Sequence, residues 1–470
     1  MLREELSVAS KSPDAESFQW EPQPAAAALV SRLIDQFLAI NDDVVRLAQR
    51  MHVETGTRLN DWVDSIWLPK SFEQGSIEKN LAEVGFETEE SSPQVWHHPG
   101  GIFPQIVIGP VALLDWNEKN ENLTLAIKIN DVAHFARIHS LDESRLLGQP
   151  GSRLRVASFS PQQDTVLVAI ERQGWQDLTM PTETGEQIAL AARHHQQLAV
   201  RNRSSTATQS GFDFCANMLR QAIDDLGTDW ACHLFFAAER TYWMSRNFAA
   251  RVQYDRQQQL GLGWANHDHH TYRSSRSCFH LLIGVLEQMG FQCRERFYAG
   301  QEAGWGAQVL EQPQAGIIVF ADVDLSPEEI SADFSHQPLP HRDQLGTVGL
   351  WCALHGESFL AAGMHHLECQ FDFDAARSQL AEAGVETMAP FTDFPFLKQA
   401  FTQGQMWPVE PDRIEAALAD GHISQKLAEQ FRREGALGSH LEILERNDGY
   451  KGFNQTGVSD IILRTDPRNQ

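Results

Sequence analysis

From His267 onward this chain runs strand, helix, strand, strand, strand, and the same order starts again near Gly363. This constrains the fold more than any other feature. Alternation along each strand fixes which residues share a face, and a repeated unit can share pattern without sequence identity. The first copy reads "HDHHTYRS" as a strand, "SCFHLLIGVLEQMG" as a helix, and "QCRERFYAG", "GWGAQVLEQ" and "AGIIVFADVDL" as three further strands. Phe279, Leu282, Ile283, Leu286 and Met289 form one apolar stripe on the helix, with Ser275 or Ser277 expected as its cap and Gly290 as its stop. The second copy opens with the strand "GMHHLECQFDF" and the helix "DAARSQLAEAG", capped by Asp374 and stopped by Gly384. It is then interrupted over about 387–438 by Phe- and Pro-rich loops and helices, and strands resume as "GSHLEILERND" and "VSDIILRTD".

The expected fold class is therefore α+β: paired βαβββ modules in the C-terminal half, at about 262–326 and 363–470, with helical insertions. A further α+β domain precedes them. Residues 1–23 read as a loose tail, and "AAAALVSRLIDQFLAINDDVVRLAQRM" as a helical hairpin or long helix. The strand-like runs "DSIWLP", "PQIVIG", "LTLAIKI", "RLRVASF" and "TVLVAIE" fill the rest of a domain spanning 24–199. "DSIWLP" and the helix through "SIEKNLAEVG" echo the module order without a histidine at the strand, as a metal-free degenerate copy would. The polar stretch "VRNRSSTATQSG" marks a linker at 200–211, and 212–470 form the second domain.

Thirty-eight basic against 63 acidic residues give a formal charge of -25, which argues against nucleic acid or an anionic membrane as a partner. No apolar run reaches the length of a membrane span, the N-terminus lacks a signal-like apolar region, and the six cysteines form no CxxC pair. A cytoplasmic protein is expected.

Along "HDHHTYR", alternation puts His267, His269, Thr271 and Arg273 on one face and Asp268, His270 and Tyr272 on the other. The same count joins His366 with Glu368 and Gln370, and His440 with Glu442, Leu444 and Arg446. Two histidines and a carboxylate from three separate strands are what a facial Fe(II) site needs, since they leave three positions for a chelating substrate and dioxygen.

Paired βαβββ modules with these strands resemble the vicinal oxygen chelate superfamily. Within it, "DHHTYR", "HHL" and "LEILER" resemble the motifs of the 2-oxoadipate dioxygenase/decarboxylase (hydroxyglutarate synthase) family, and "LEILERNDGYKGFNQTG" is similar to a stretch of 4-hydroxyphenylpyruvate dioxygenase. The resemblance covers roughly 212–470. It implies His269, His366 and Glu442 as Fe(II) ligands, and Arg273 as the grip on a substrate carboxylate, a task the guanidinium fork suits. It also implies Arg464 as a second substrate arginine, with Ser459 beside it as a further candidate. The implied activity is oxidative decarboxylation of a 2-oxo acid to a hydroxy acid, with dioxygen as the other small-molecule partner.

Plainer readings stand beside these. His267 and His270 are expected to face solvent, Glu442 could form a surface ion pair, and Arg273 could bridge to Glu295. "WHHPGG" and "GLGW" read as turns, and Cys278 and Cys369 are not nucleophiles. Two competing functions remain. One is a redox-neutral isomerase or lyase using Zn2+, Mn2+ or Ni2+, which an extra buried ligand, such as His440, would favour. The other is a non-catalytic small-molecule-binding module.

Overall fold

The computed structural model describes residues 20–111, 113, 122–203, 208–301, 303–454 and 465–469. Its N-terminal half runs α1 (Pro24–Leu38), α2 (Asp42–Arg50), β1 (Val63–Leu68), α3 (Ile77–Glu83), β2 (Glu87–Glu89), β3 (Ser92–His97), β4 (Gln105–Ile108), β5 (Leu123–Lys128), α4 (Val132–Ile138), β6 (Leu146–Leu147), β7 (Leu154–Gln162) and β8 (Thr165–Arg172). The segment forms two helices rather than one long helix, divided at Asn41, whose side chain accepts the Val44 N–H. Four helices follow: α5 (Gly185–Ala199), α6 (Thr208–Leu226), α7 (Thr228–Ser245) and α8 (Phe248–Gln258). Asn247 separates α7 from α8 and caps α8 by accepting the Ala250 N–H.

The C-terminal half continues with β9 (His267–Arg273), α9 (Phe279–Gln288), β10 (Gln292–Tyr298), β11 (Trp305–Gln312), β12 (Ile317–Asp324), α10 (Thr347–His355), β13 (His366–Gln370), α11 (Phe373–Glu382), β14 (Thr392–Phe394), β15 (Leu397–Phe401), β16 (Gln405–Trp407), α12 (Pro411–Ala419), α13 (Gln425–Glu434) and β17 (Ala436–Arg446). Its sheet has the order β10-β11-β12-β9-β13-β17-β15-β14, with β16 paired to the start of β17. In each module the first strand lies parallel to the last, β9 to β12 and β13 to β17, and β9 joins β13 antiparallel. These are the paired βαβββ modules expected from the sequence.

The N-terminal sheet repeats that arrangement as β2-β3-β4-β1-β5-β8-β7-β6, with β1 parallel to β4, β5 parallel to β8, and β1 antiparallel to β5. Ile66, Leu125 and Leu167 face its helices. On the opposite face, Trp67, Val107, Ala126, Val156, Val168 and Ile170 pack into a buried apolar cluster. That face corresponds to the one carrying the histidines in the C-terminal sheet, and hydrophobic side chains fill it.

Several expectations are corrected. The second copy is not interrupted before its middle strands, because β14 and β15 lie inside 387–438 and the helical insertion is confined to α12 and α13. α11 is capped by Asp372, which accepts the Ala375 N–H, not by Asp374. Neither Ser275 nor Ser277 caps α9 through its side chain; the Ser275 carbonyl accepts the Phe279 N–H instead. The expected linker is anchored and partly helical: α6 begins at Thr208, and the Arg201 and Arg203 guanidinium groups both pair with buried Glu239. The expected tail falls mainly on residues 1–19, outside the described residues. Trp20 is held, its indole N–H donating to Glu295 at 3.2 Å. Among the described residues no helix is long and apolar enough to cross a membrane.

Candidate metal centre

A β-bulge in β9 shapes the site. Across the β9–β13 pair, Glu368 lies opposite His269 and Cys369 opposite His267, which leaves Asp268 as an extra residue. The bulge overturns the simple alternation expected for this strand. Asp268 joins the His269 face, where it accepts from Arg446 Nε and Nη2 at 2.9 and 3.0 Å and from Gln370 Nε2 at 3.0 Å. His267 turns toward His270, ring centroids 5.0 Å apart. His270 is fully buried, not solvated, and accepts from Arg240 Nη1 at 3.1 Å.

The parallel register of β13 and β17 sets His366 beside His440 and Glu368 beside Glu442. One donor atom from each of His269, His366 and Glu442 lies within 4.8 Å of the others, and all three residues are buried. His366 Nε2 is 3.0 Å from Glu442 Oε2. Its other ring nitrogen meets His365 Nδ1 at 2.9 Å, which fixes the ring with Nε2 turned to the carboxylate. Burial disfavours charge here, pushing Glu442 up to about 7 and His366 down to about 3. His366 is thus held as a neutral imidazole, the form able to ligate a metal.

Three residues that sequence reading did not assign complete the surroundings. Glu368 is fully buried and turns its Oε2 to His269 Nδ1. Gln399 Nε2 donates to Glu368 Oε1 at 3.0 Å and to Glu442 Oε1 at 3.1 Å, and its own carbonyl accepts from the Thr392 hydroxyl at 2.8 Å. Asp268, held by Arg446, lies 3.3 Å from His269 Nδ1. Alternation placed Glu368 on the His366 face, but nothing in the sequence linked Gln399 to either carboxylate. The donor set fits a divalent cation: two imidazoles and a carboxylate, with a second buried carboxyl group beside His269 that burial pushes well above the usual range.

His440 stays outside the donor group. Its Nδ1 sits 3.0 Å from the Thr402 carbonyl and its ring stacks on Phe401 at 4.9 Å. In the first module β12 offers Ile318 and Phe320 where β17 offers His440 and Glu442. Phe320 packs 4.4 Å from the His269 ring, and Phe453 closes over both.

Arg273, two residues beyond Thr271, is 1% exposed, and its Nε and Nη1 have no hydrogen-bond partner. The nearest carboxylate, Asp322, is 3.9 Å away, beyond hydrogen-bond length. Glu295, the expected alternative partner, pairs with Arg294 instead. Arg464 and Ser459 lie outside the described residues. Elsewhere, His98 contacts the Val84 carbonyl at 3.1 Å, and Gly261 and Gly263 turn at φ of 76° and 66° against Phe135 and Asn130. Burial raises the Cys278 and Cys369 thiols, which keeps them protonated.

No family model and no curated protein matches the chain. Among solved structures, methylmalonyl-CoA epimerase from Mycobacterium tuberculosis aligns at 12% identity over 39% of this chain and 88% of its own, with a TM-score of 0.22. A mutant 4-hydroxymandelate synthase from Streptomyces coelicolor aligns at 12% identity over 73% of this chain and 97% of its own, with a TM-score of 0.31. An uncharacterised Shigella flexneri protein aligns at 14% identity over 59% and 84%, with a TM-score of 0.23.

Proposed function

We propose that this protein is an Fe(II)-dependent dioxygenase that oxidatively decarboxylates a 2-oxo acid, a dicarboxylate like 2-oxoadipate, to a hydroxy acid. The observation that carries the reading is the buried His269–His366–Glu442 donor group on three neighbouring strands, with Arg273 on β9 of the same sheet, whose Nε and Nη1 have no hydrogen-bond partner. One 2-oxo acid and one dioxygen would give carbon dioxide and a hydroxy acid one carbon shorter.

His269, His366 and Glu442 would hold the iron. Bound there, it would supply a Lewis-acidic centre and the electrons that activate dioxygen. The chain's own residues do the rest. Gln399, fixed by Thr392, holds the Glu442 and Glu368 carboxylates in place. Arg273 binds a substrate carboxylate through the donors the fold leaves free, and Arg464 and Ser459 are assigned to the substrate's other end. Phe320, Phe401 and Phe453 line the histidines with apolar rings and exclude water.

The test is oxygen uptake by Fe(II)-loaded protein across a panel of 2-oxo mono- and dicarboxylates. Uptake that follows dicarboxylates and disappears in His366→Ala is expected; uptake unchanged by that substitution refutes the assignment. A second reading, a redox-neutral isomerase or lyase on Zn2+, Mn2+ or Ni2+, is favoured by one observation: Glu368 is a second buried carboxylate beside His269 and could act as a fourth ligand. Substrate turnover without oxygen uptake would select it.

A further inference from the structure

A second cluster of metal-ligating side chains lies at the edge of the C-terminal sheet. Glu287 lies in the last turn of α9, Gly290 turns the chain at a φ of 84°, and edge strand β10 brings Cys293 back beside Glu287. The register slips just after Cys293, the kind of bulge that re-aims a strand residue. From the loop after β12, His336 reaches the same point. One donor atom each from Glu287, Cys293 and His336 lies within 4.8 Å of the others. His336 Nε2 is 2.9 Å from Glu287 Oε1, and its Nδ1 is 2.8 Å from Asp333 Oδ1.

We propose that Glu287, Cys293 and His336 form a second cation site, suited to Zn2+ over Ca2+ and Mg2+, that clamps the β12–α10 loop to the sheet edge. Zinc takes a thiolate, an imidazole and a carboxylate together, whereas Ca2+ and Mg2+ take oxygen donors and would accept only the carboxylate of this set. Asp333 plays the part of the outer carboxylate that holds a ligating histidine by its other nitrogen. Zinc in tetrahedral coordination sets its ligand atoms roughly 3.3–3.8 Å apart, so small rotations of exposed side chains close the cluster. Three protein donors leave the fourth position to water. The site is independent of the centre on β9, β13 and β17, which contains no sulfur donor.

Cobalt gives a direct readout, because a thiolate bound to Co2+ produces a near-ultraviolet charge-transfer band that imidazole and carboxylate ligands do not. Cys293 is exposed and the other five cysteines are buried. Co2+ titration of the full chain under a non-chelating reductant should produce the band in wild type and in His366→Ala. Cys293→Ser should abolish it and remove one equivalent of bound Zn2+. Asp333→Asn should weaken Zn2+ binding at this site roughly 10–100-fold. No band in wild type, or a band that survives Cys293→Ser, overturns the proposal. Loss in Cys293→Ser with full retention in both His336→Ala and Asp333→Asn reduces the site to a lone thiol and overturns it equally.

Discussion

Two buried arginines of the C-terminal sheet should respond to the same substitution with opposite effects. Arg446 makes a two-point ion pair with Asp268 at 2.9 and 3.0 Å and also donates to the Gly452 carbonyl at 2.7 Å. Burial alone would raise the Asp268 carboxyl, but Arg446 outweighs it and holds the group well below the usual range. Arg446→Met strands that carboxylate and should cost about 3–5 kcal/mol of stability. Arg273 has two unpartnered nitrogens and no carboxylate within hydrogen-bond reach. Arg273→Met removes a buried charge that the free protein does not satisfy, so stability should be unchanged or higher. Its cost should appear with substrate: two charge-assisted bonds at about 1.5–3 kcal/mol each correspond to roughly 10²–10⁴-fold in kcat/KM. Denaturant melts of both variants, metal content and kcat/KM on the best 2-oxo dicarboxylate measure all of this. Arg273→Lys should keep the metal and lose most of the affinity, because the fork is gone. If Arg273→Met destabilises as much as Arg446→Met and leaves kcat/KM intact, Arg273 is a structural residue and the reasoning fails.

Gln399→Leu should lower Fe(II) affinity roughly 10–100-fold while the fold persists, as judged by metal titration and circular dichroism, since it frees both carboxylates it now orients. Burial raises Asp322 to about 8 against the opposing pull of Arg273. An acid whose folded value lies above its unfolded one loses stabilisation as pH rises between those values, here from about 4 to 8. Asp322→Asn should therefore gain about a few kcal/mol over wild type at pH 7.5, and the gain should vanish near pH 4 in a denaturation series. A gain independent of pH would contradict the charge argument.

The module from β9 to β12 was legible because each element carries its own period and ends at Gly, Pro or an acidic turn. In the second module β14 and β15 span only Thr392–Phe394 and Leu397–Phe401. Runs so short among Pro and Phe give no readable alternation, so they read as loop and hid Gln399. The bulge at Asp268 was illegible for a different reason: an extra residue in a strand shows only against its partner's register. Caps shifted by local competition, with Asp372 taking the place expected for Asp374. The second N-terminal module was missed because its face bears Ala126 and Val168, which read as ordinary core, rather than side chains that advertise chemistry. His269, His366 and Glu442 stood out because alternation and resemblance selected the same positions, and the fold brings those positions together.

The central claim is a three-residue metal centre, and its most direct measurement is bound iron after anaerobic Fe(II) loading of untagged protein, in a Cys293→Ser background that removes the edge cluster. About one equivalent of iron per chain is predicted, falling to a small fraction in His366→Ala and in Glu442→Ala while both variants keep the parent's melting profile. Substoichiometric iron in the parent, or full loading of either variant, would contradict the account.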